Sequence, residues 1–130
     1  LRLPHYRKAL KKRNLIAKLY EKKLKEITEL KIPSTNKGNY HAYHQYVIRT
    51  NRRNELREYL TQEKIDTMIH YPYMLSELKI FKTASGIRNL KNSINLGKKI
   101  LSLPISEEHS IQEINFVIKK IKMFFSKNRT

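Results

Sequence analysis

Apolar positions early in the chain recur at three-, four- and seven-residue steps. Tyr6, Leu10, Ala17, Tyr20, Leu24 and Ile27 fall on one stripe of a helical wheel. The spacing predicts a single long amphipathic helix over residues 4–30, opened by Pro4, whose missing N–H costs nothing in a first turn. At 1.5 Å per residue such a rod is about 40 Å long, more than a small domain is wide. Its stripe is expected to be unusually exposed unless another surface covers it.

A turn-rich break follows, from Pro33 to Asn39. Tyr40–Thr50 is dense in aromatic and β-branched residues and reads as a strand. Thr50 or Asn51 can cap a second helix, running to about Glu63 with Leu56, Tyr59 and Leu60 inward. Ile65–His70 alternates Ile65, Thr67 and Ile69 against Asp66, Met68 and His70, the pattern of a half-buried strand that Pro72 ends. Residues 73–90 carry no strong periodicity, with a turn at Ser85-Gly86. A short helix is expected over Asn92–Leu101, then a compact Leu101–Ile105 segment. The last helix is the best signalled. Ser110 and Glu113 form a capping box, and Ile114, Val117, Ile118, Ile121, Phe124 and Phe125 its apolar stripe. The order helix, strand, helix, strand, helix, helix defines an α+β class: a long N-terminal helix, then a small antiparallel or mixed sheet packed with helices.

Composition narrows the function classes. A chain of 130 residues suggests one domain, enough for a core but short for a complete enzyme. Zero cysteines exclude disulfides, thiolate metal sites and thiol nucleophiles. The longest uncharged stretch, Gly38–Ile48, is too short and polar to span a membrane, and no apolar signal segment opens the chain, so a cytoplasmic location is expected. The first residue is Leu1, not Met, which marks a processed chain or a piece of a longer one.

The charge is large: 28 Lys and Arg against 11 Asp and Glu, a net +17. It is either a footprint for nucleic acid or another polyanion, or lysine-rich surface usage. A small basic nucleic-acid-binding module is therefore the alternative function. Against it, Tyr6 and Tyr20 on the basic helix fall on the apolar stripe, where they are expected to be buried and unavailable to stack on bases.

Candidate chemistry is sparse. His41 and His44 invite a metal, but three apart on a strand they point to opposite faces, and no third ligand is near. His5 and His109 sit among polar neighbours and are expected in solvent. His70 and Tyr71, at a strand end before Pro72, lie where ligands commonly bind in sheet proteins, and a histidine can exchange protons or hydrogen-bond a hydroxylated ligand. No glycine-rich phosphate loop, carboxylate pair or Ser/His/Asp set is visible. The residues alone offer no complete active site.

Several strings, in order, resemble a known family. They are Arg13, Ala17, Tyr20 and Leu24; Tyr43-His44-Gln45-Tyr46-Val47-Ile48-Arg49; Arg53-Asn54-Glu55-Leu56 with Tyr59-Leu60; and Ile65-Asp66-Thr67-Met68-Ile69-His70-Tyr71-Pro72. Downstream come Leu101-Ser102-Leu103-Pro104-Ile105, Val117-Ile118 and Ile121. Together they are similar to the C-terminal part of the DegT/DnrJ/StrS family of pyridoxal-phosphate-dependent sugar aminotransferases. The resemblance implies the small C-terminal domain of a fold-type-I aminotransferase: residues 1–32 as the connecting helix and 33–130 as the small domain, one structural unit overall. It further implies a homodimer acting on nucleotide-linked keto-sugars, with pyridoxal phosphate as cofactor and glutamate as amino donor. The Schiff-base lysine belongs to the large domain, and none of the 19 lysines here has its context. So no catalytic, cofactor-binding or metal residue is assigned, and His70 and Tyr71 are the implied substrate-side pair. Departures are Met74, Ser76 and Leu78 where the family usually has Pro, His and Gln, Ile94 where Glu is common, and Lys64 where Gly is frequent. They point to altered specificity or relaxed catalytic demand.

Overall fold

The computed structural model of the chain describes residues 3–81 and 90–127. A 3-10 turn at Leu3–His5 leads into α1 (Tyr6–Leu24). β1 (Tyr46–Arg49) and α2 (Arg53–Gln62) follow, and after 3-10 turns at Leu75–Glu77 and Lys79–Phe81 come α3 (Lys91–Gly97), β2 (Ile100–Leu103) and α4 (Ile111–Ser126). This is the expected α+β class, with one exchange of order: the second strand comes after α3, not before it.

β1 and β2 are antiparallel, pairing Tyr46 with Leu103 and Ile48 with Leu101. Single bridges widen the layer on both sides, Lys31 beside Arg49 and Met68 beside Ser102. Tyr46, Ile48, Leu101 and Leu103 are buried in one core with Ile16, Ala17, Tyr20 and Leu24 of α1, Leu56 and Leu60 of α2, and the whole predicted stripe of α4. The Tyr20 and Tyr46 rings lie 4.8 Å apart, and the Tyr20 hydroxyl donates to the Pro104 carbonyl at 2.9 Å. Burial pushes both phenols well above their ordinary range, so they are neutral packing groups.

The α1 stripe is exposed only at its start. Tyr6 is 56% exposed, contrary to the burial expected of it, while the stripe from Ala17 onward lies in the core. The helix also stops six residues short of expectation. Ile27 N–H bonds Leu24 O and Leu30 N–H bonds Ile27 O, so single turns keep burying every third residue after the helix has ended. A three-residue period does not distinguish the two.

The first strand is likewise shorter than its composition suggested. Tyr43 has φ of +46°, which no strand allows, and its N–H donates to His41 Nδ1 at 2.8 Å. Its aromatic richness serves a local stack of His41 on Tyr43, centroids 4.2 Å apart. The expected strand Ile65–His70 reduces to one bridge at Met68, although Ile65 is buried and Asp66 and Met68 are exposed as the alternation required. Conversely, Ile100 and Leu101 belong to a strand, not to the preceding helix, which ends at Gly97. The Ser85-Gly86 turn lies outside the described residues.

Two helix ends follow sequence rules closely. Ser110 Oγ accepts the Glu113 N–H at 3.1 Å, and the Glu113 carboxylate accepts the Ser110 N–H at 2.7 Å. That backbone bond, with the Ser110 hydroxyl, holds the Glu113 carboxyl below its ordinary value. At the end of α2, Ile65 N–H bonds Leu60 O and Lys64 N–H bonds Thr61 O, a Schellman ending with Lys64 at φ +59°. A left-handed residue there favours glycine, the residue the resemblance leads one to expect. Lys64→Gly should therefore stabilise the chain by about 0.5–1 kcal/mol in urea unfolding, even though glycine loosens the unfolded state.

Among the described residues, no helix is long and apolar enough to cross a membrane.

Candidate functional site

A cleft of about 690 Å³ opens between the 64–70 segment, the end of β2 and the first turns of α4. The buried Ile65, Leu103, Ile114 and Val117 line it and give it an apolar wall. Its polar groups include His44, His70, His109, Gln112, Lys64 and Asp66. An apolar wall with a few convergent polar groups is the usual form of a small-molecule site.

His70 is half-buried, and its Nδ1 lies 2.8 Å from Ser102 Oγ. Ser102 stands in β2 between two larger apolar neighbours, Leu101 and Leu103, and is itself only 6% exposed. Its backbone is bonded both ways to Met68, so β2 holds the 68–70 segment by main chain and side chain together. Tyr71 behaves differently. It is 69% exposed and does not line the cleft; its ring meets His70 edge-on at 5.8 Å. The proposed pair is thus adjacent, with one member in the cleft and one beside it.

The other histidines are redistributed. His44 lines the cleft while His41 is engaged with Tyr43; they lie ahead of β1 and not on the strand from which their opposite faces were expected. His109, expected in solvent, is half-buried in the cleft wall; His5 is exposed. Among the described residues, no group of three or more His, Cys, Asp or Glu is placed to hold a metal ion. Sequence reasoning missed His109, Gln112 and Ser102 as cleft residues. The signals were there: a serine inside an apolar strand, and a histidine just ahead of a helix cap.

The described residues do not fit a seat for pyridoxal phosphate. The cofactor needs a lysine amine and a cradle for its phosphate. The lysine of this cleft, Lys64, is exposed at its edge. The helix N-terminus that borders the cleft, that of α4, has the Ser110 and Glu113 N–H groups taken by its capping box, and the negative charge of the Glu113 carboxylate beside them repels phosphate.

The architecture matches that of solved aminotransferases. S. venezuelae DesV, determined in complex with a ketimine intermediate, superposes with a TM-score of 0.90 at 25% identity, over 99% of this chain and 34% of its own. In sequence, a "pleiotropic regulatory protein" of Geobacillus stearothermophilus is 30% identical over 96% of this chain and 34% of its own length. A dTDP-3-amino-3,4,6-trideoxy-α-D-glucose transaminase of Streptomyces venezuelae is 29% identical over 81% of this chain and 28% of its own. Residues 1–122 match the DegT/DnrJ/EryC1/StrS aminotransferase family, and the chain belongs to it. It spans about a third of the length of these relatives. None of these relatives points to nucleic acid, and Tyr20 of the basic helix is in the core.

Proposed function

We propose that this chain is the C-terminal share of a pyridoxal-phosphate-dependent aminotransferase acting on nucleotide-linked keto-sugars, with glutamate as amino donor and a homodimer as its working form. The observation that carries this reading is the family match over residues 1–122, which takes in the cleft and its histidine. Residues 1–32 serve as the connecting helix and 33–130 as the small domain. Cofactor and Schiff-base lysine belong to the part of the relatives' length that this chain does not span.

On this reading His70 and Tyr71 stand at the substrate side. His70, fixed by Ser102, holds an oxygen of the nucleotide-sugar, and Tyr71 flanks it on the open edge. The apolar wall of Ile65, Leu103 and Ile114 keeps water from that hydrogen bond, which strengthens it.

Two measurements test the proposal. Titrated with pyridoxal phosphate, the chain by itself should give no stable new absorbance band; a stoichiometric one means it carries its own cofactor lysine and sinks the division of labour. The parent reading frame should carry a Ser-x-x-Lys segment ahead of α1, and its product should convert a dTDP-linked keto-sugar and glutamate to an amino-sugar and 2-oxoglutarate. Absence of that segment rules out the enzymatic reading.

A further inference from the structure

Ser102 is an unusual residue for its place. Apart from the core tyrosines, the buried polar residues among those described are Thr50 and Ser102. Thr50 Oγ1 accepts the Arg52 N–H at 3.2 Å ahead of α2, an ordinary turn contact. Ser102 is 6% exposed, and its hydroxyl meets a titratable group in the cleft, His70 Nδ1 at 2.8 Å. A buried hydroxyl proton without an acceptor is costly, whereas unfilled lone pairs cost less. Among the described residues His70 Nδ1 is the one side-chain partner of that hydroxyl.

The two assignments of the proton between these atoms are therefore unequal. If Nδ1–H donates to Oγ, the serine proton is left in the protein interior with no acceptor. If the serine donates to Nδ1, both atoms are satisfied and the imidazole proton must sit on Nε2. A second contact limits the ring's rotation: Tyr71 packs on it edge-on at 5.8 Å. Nε2 has no hydrogen-bond partner among the described residues, and His70 lines the cleft.

We infer that Ser102 is a positioning residue, whose hydroxyl donates to His70 Nδ1 and fixes the neutral imidazole as the Nε2–H tautomer, giving the cleft one N–H oriented toward an oxygen acceptor. Its meaning for substrate rests on the reading proposed above: the acceptor is a hydroxyl, carbonyl or phosphate oxygen of a nucleotide-linked sugar. The tautomer itself rests only on the geometry of β2 and the 68–70 segment. Ser102 is suited to the task because β2 grips Met68 through both backbone bonds, N–H to O at 2.7 Å and 3.2 Å, so the hydroxyl and the ring are held in one frame.

The test is the tautomer of His70 in the full chain, read from nitrogen–carbon correlations of ¹⁵N-histidine-labelled protein at about pH 8.5, two units above the ordinary histidine value of about 6.5. Native protein should show His70 with its proton on Nε2. Ser102→Ala should shift the ratio toward Nδ1–H by about fivefold to tenfold, the bias one hydrogen bond supplies. Ser102→Thr, which keeps the hydroxyl, should retain the native signature. A native His70 protonated on Nδ1, or an unchanged ratio in a folded Ser102→Ala protein, overturns the inference. Should Ser102→Ala fail to fold, Ser102→Cys, close in size but a far weaker donor, makes the same comparison and should shift the ratio in the same direction. No substrate enters the measurement, so an Nε2–H result together with a parent reading frame that lacks the Ser-x-x-Lys segment refutes the proposed function alone, and the converse pair of results refutes this inference alone.

Discussion

Replacing Ile121 with alanine should cost about 2–5 kcal/mol of folding stability, a large part of the 5–15 kcal/mol that holds a domain of this kind together. Ile121 is fully buried at the centre of the α4 stripe, and α4 packs against both α1 and α2. Truncation leaves a void in the core that α1, α2 and α4 share with the two-stranded sheet. Phe116 on the same helix is the control. It is 44% exposed, so Phe116→Ala removes a larger side chain from a shallower site and should cost under about 1.5 kcal/mol. Urea unfolding of both variants checks the contrast; equal losses would mean that the cleft wall around Phe116 carries as much packing as the core.

How much of this was legible in the sequence depends on which force sets each element. α4 was legible throughout, because its capping box is a local hydrogen-bond device and its stripe repeats over sixteen residues. α2 was legible except for its cap: Arg52 takes the N-cap position, and Thr50 helps from two residues earlier. The strands were less so. β1 lost its first half to the turn at Tyr43, a local backbone choice that composition cannot display. β2 was hidden because Leu101-Ser102-Leu103 is four residues of strand with its neighbour Ile100, and its identity comes from pairing with β1 and Met68, both distant in sequence. Long-range pairing has no local signature.

The candidate site divides in the same way. His70 was found because it precedes a proline-enforced turn, and the resemblance marked the same position. Ser102 carries no signal of its own, since nothing in Leu101-Ser102-Leu103 says which strand face the hydroxyl takes. His109 was misjudged from its polar neighbours. The chain turns at Glu107-Glu108 to start α4, and Arg13 of α1 holds Glu107 with two hydrogen bonds of 3.0 and 2.9 Å, which brings the following histidine against the cleft. Met74 packs its side chain on Gly97, in space that a Cβ there would need; nothing in the structure explains the departures at Leu78 and Ile94. Lys64 is explained in part: its positive φ shows why glycine suits the position, and nothing in the structure shows why lysine replaced it.

His70→Ala should show the second large effect, and it should appear in two places. In the complete protein the specificity constant for the nucleotide-sugar should fall about tenfold to hundredfold, as expected for a lost hydrogen bond to a charged or strongly polar oxygen, worth about 1.5–3 kcal/mol at 1.4 kcal/mol per tenfold. The half-reaction with glutamate should be left within a factor of about two, because the role proposed for His70 is confined to the nucleotide-sugar. Tyr71→Phe should change either rate by less than about threefold, since its ring is 69% exposed and outside the cleft. Stability should respond as well. His70→Ala leaves the Ser102 hydroxyl buried without its partner, a cost of about 1–3 kcal/mol. Removing that hydroxyl too should return part of the loss, so the double variant His70→Ala/Ser102→Ala should be more stable than His70→Ala alone. Strict additivity of the two substitutions in urea unfolding would show that the 2.8 Å contact carries no coupling, and His70 would then be free to turn in its cleft.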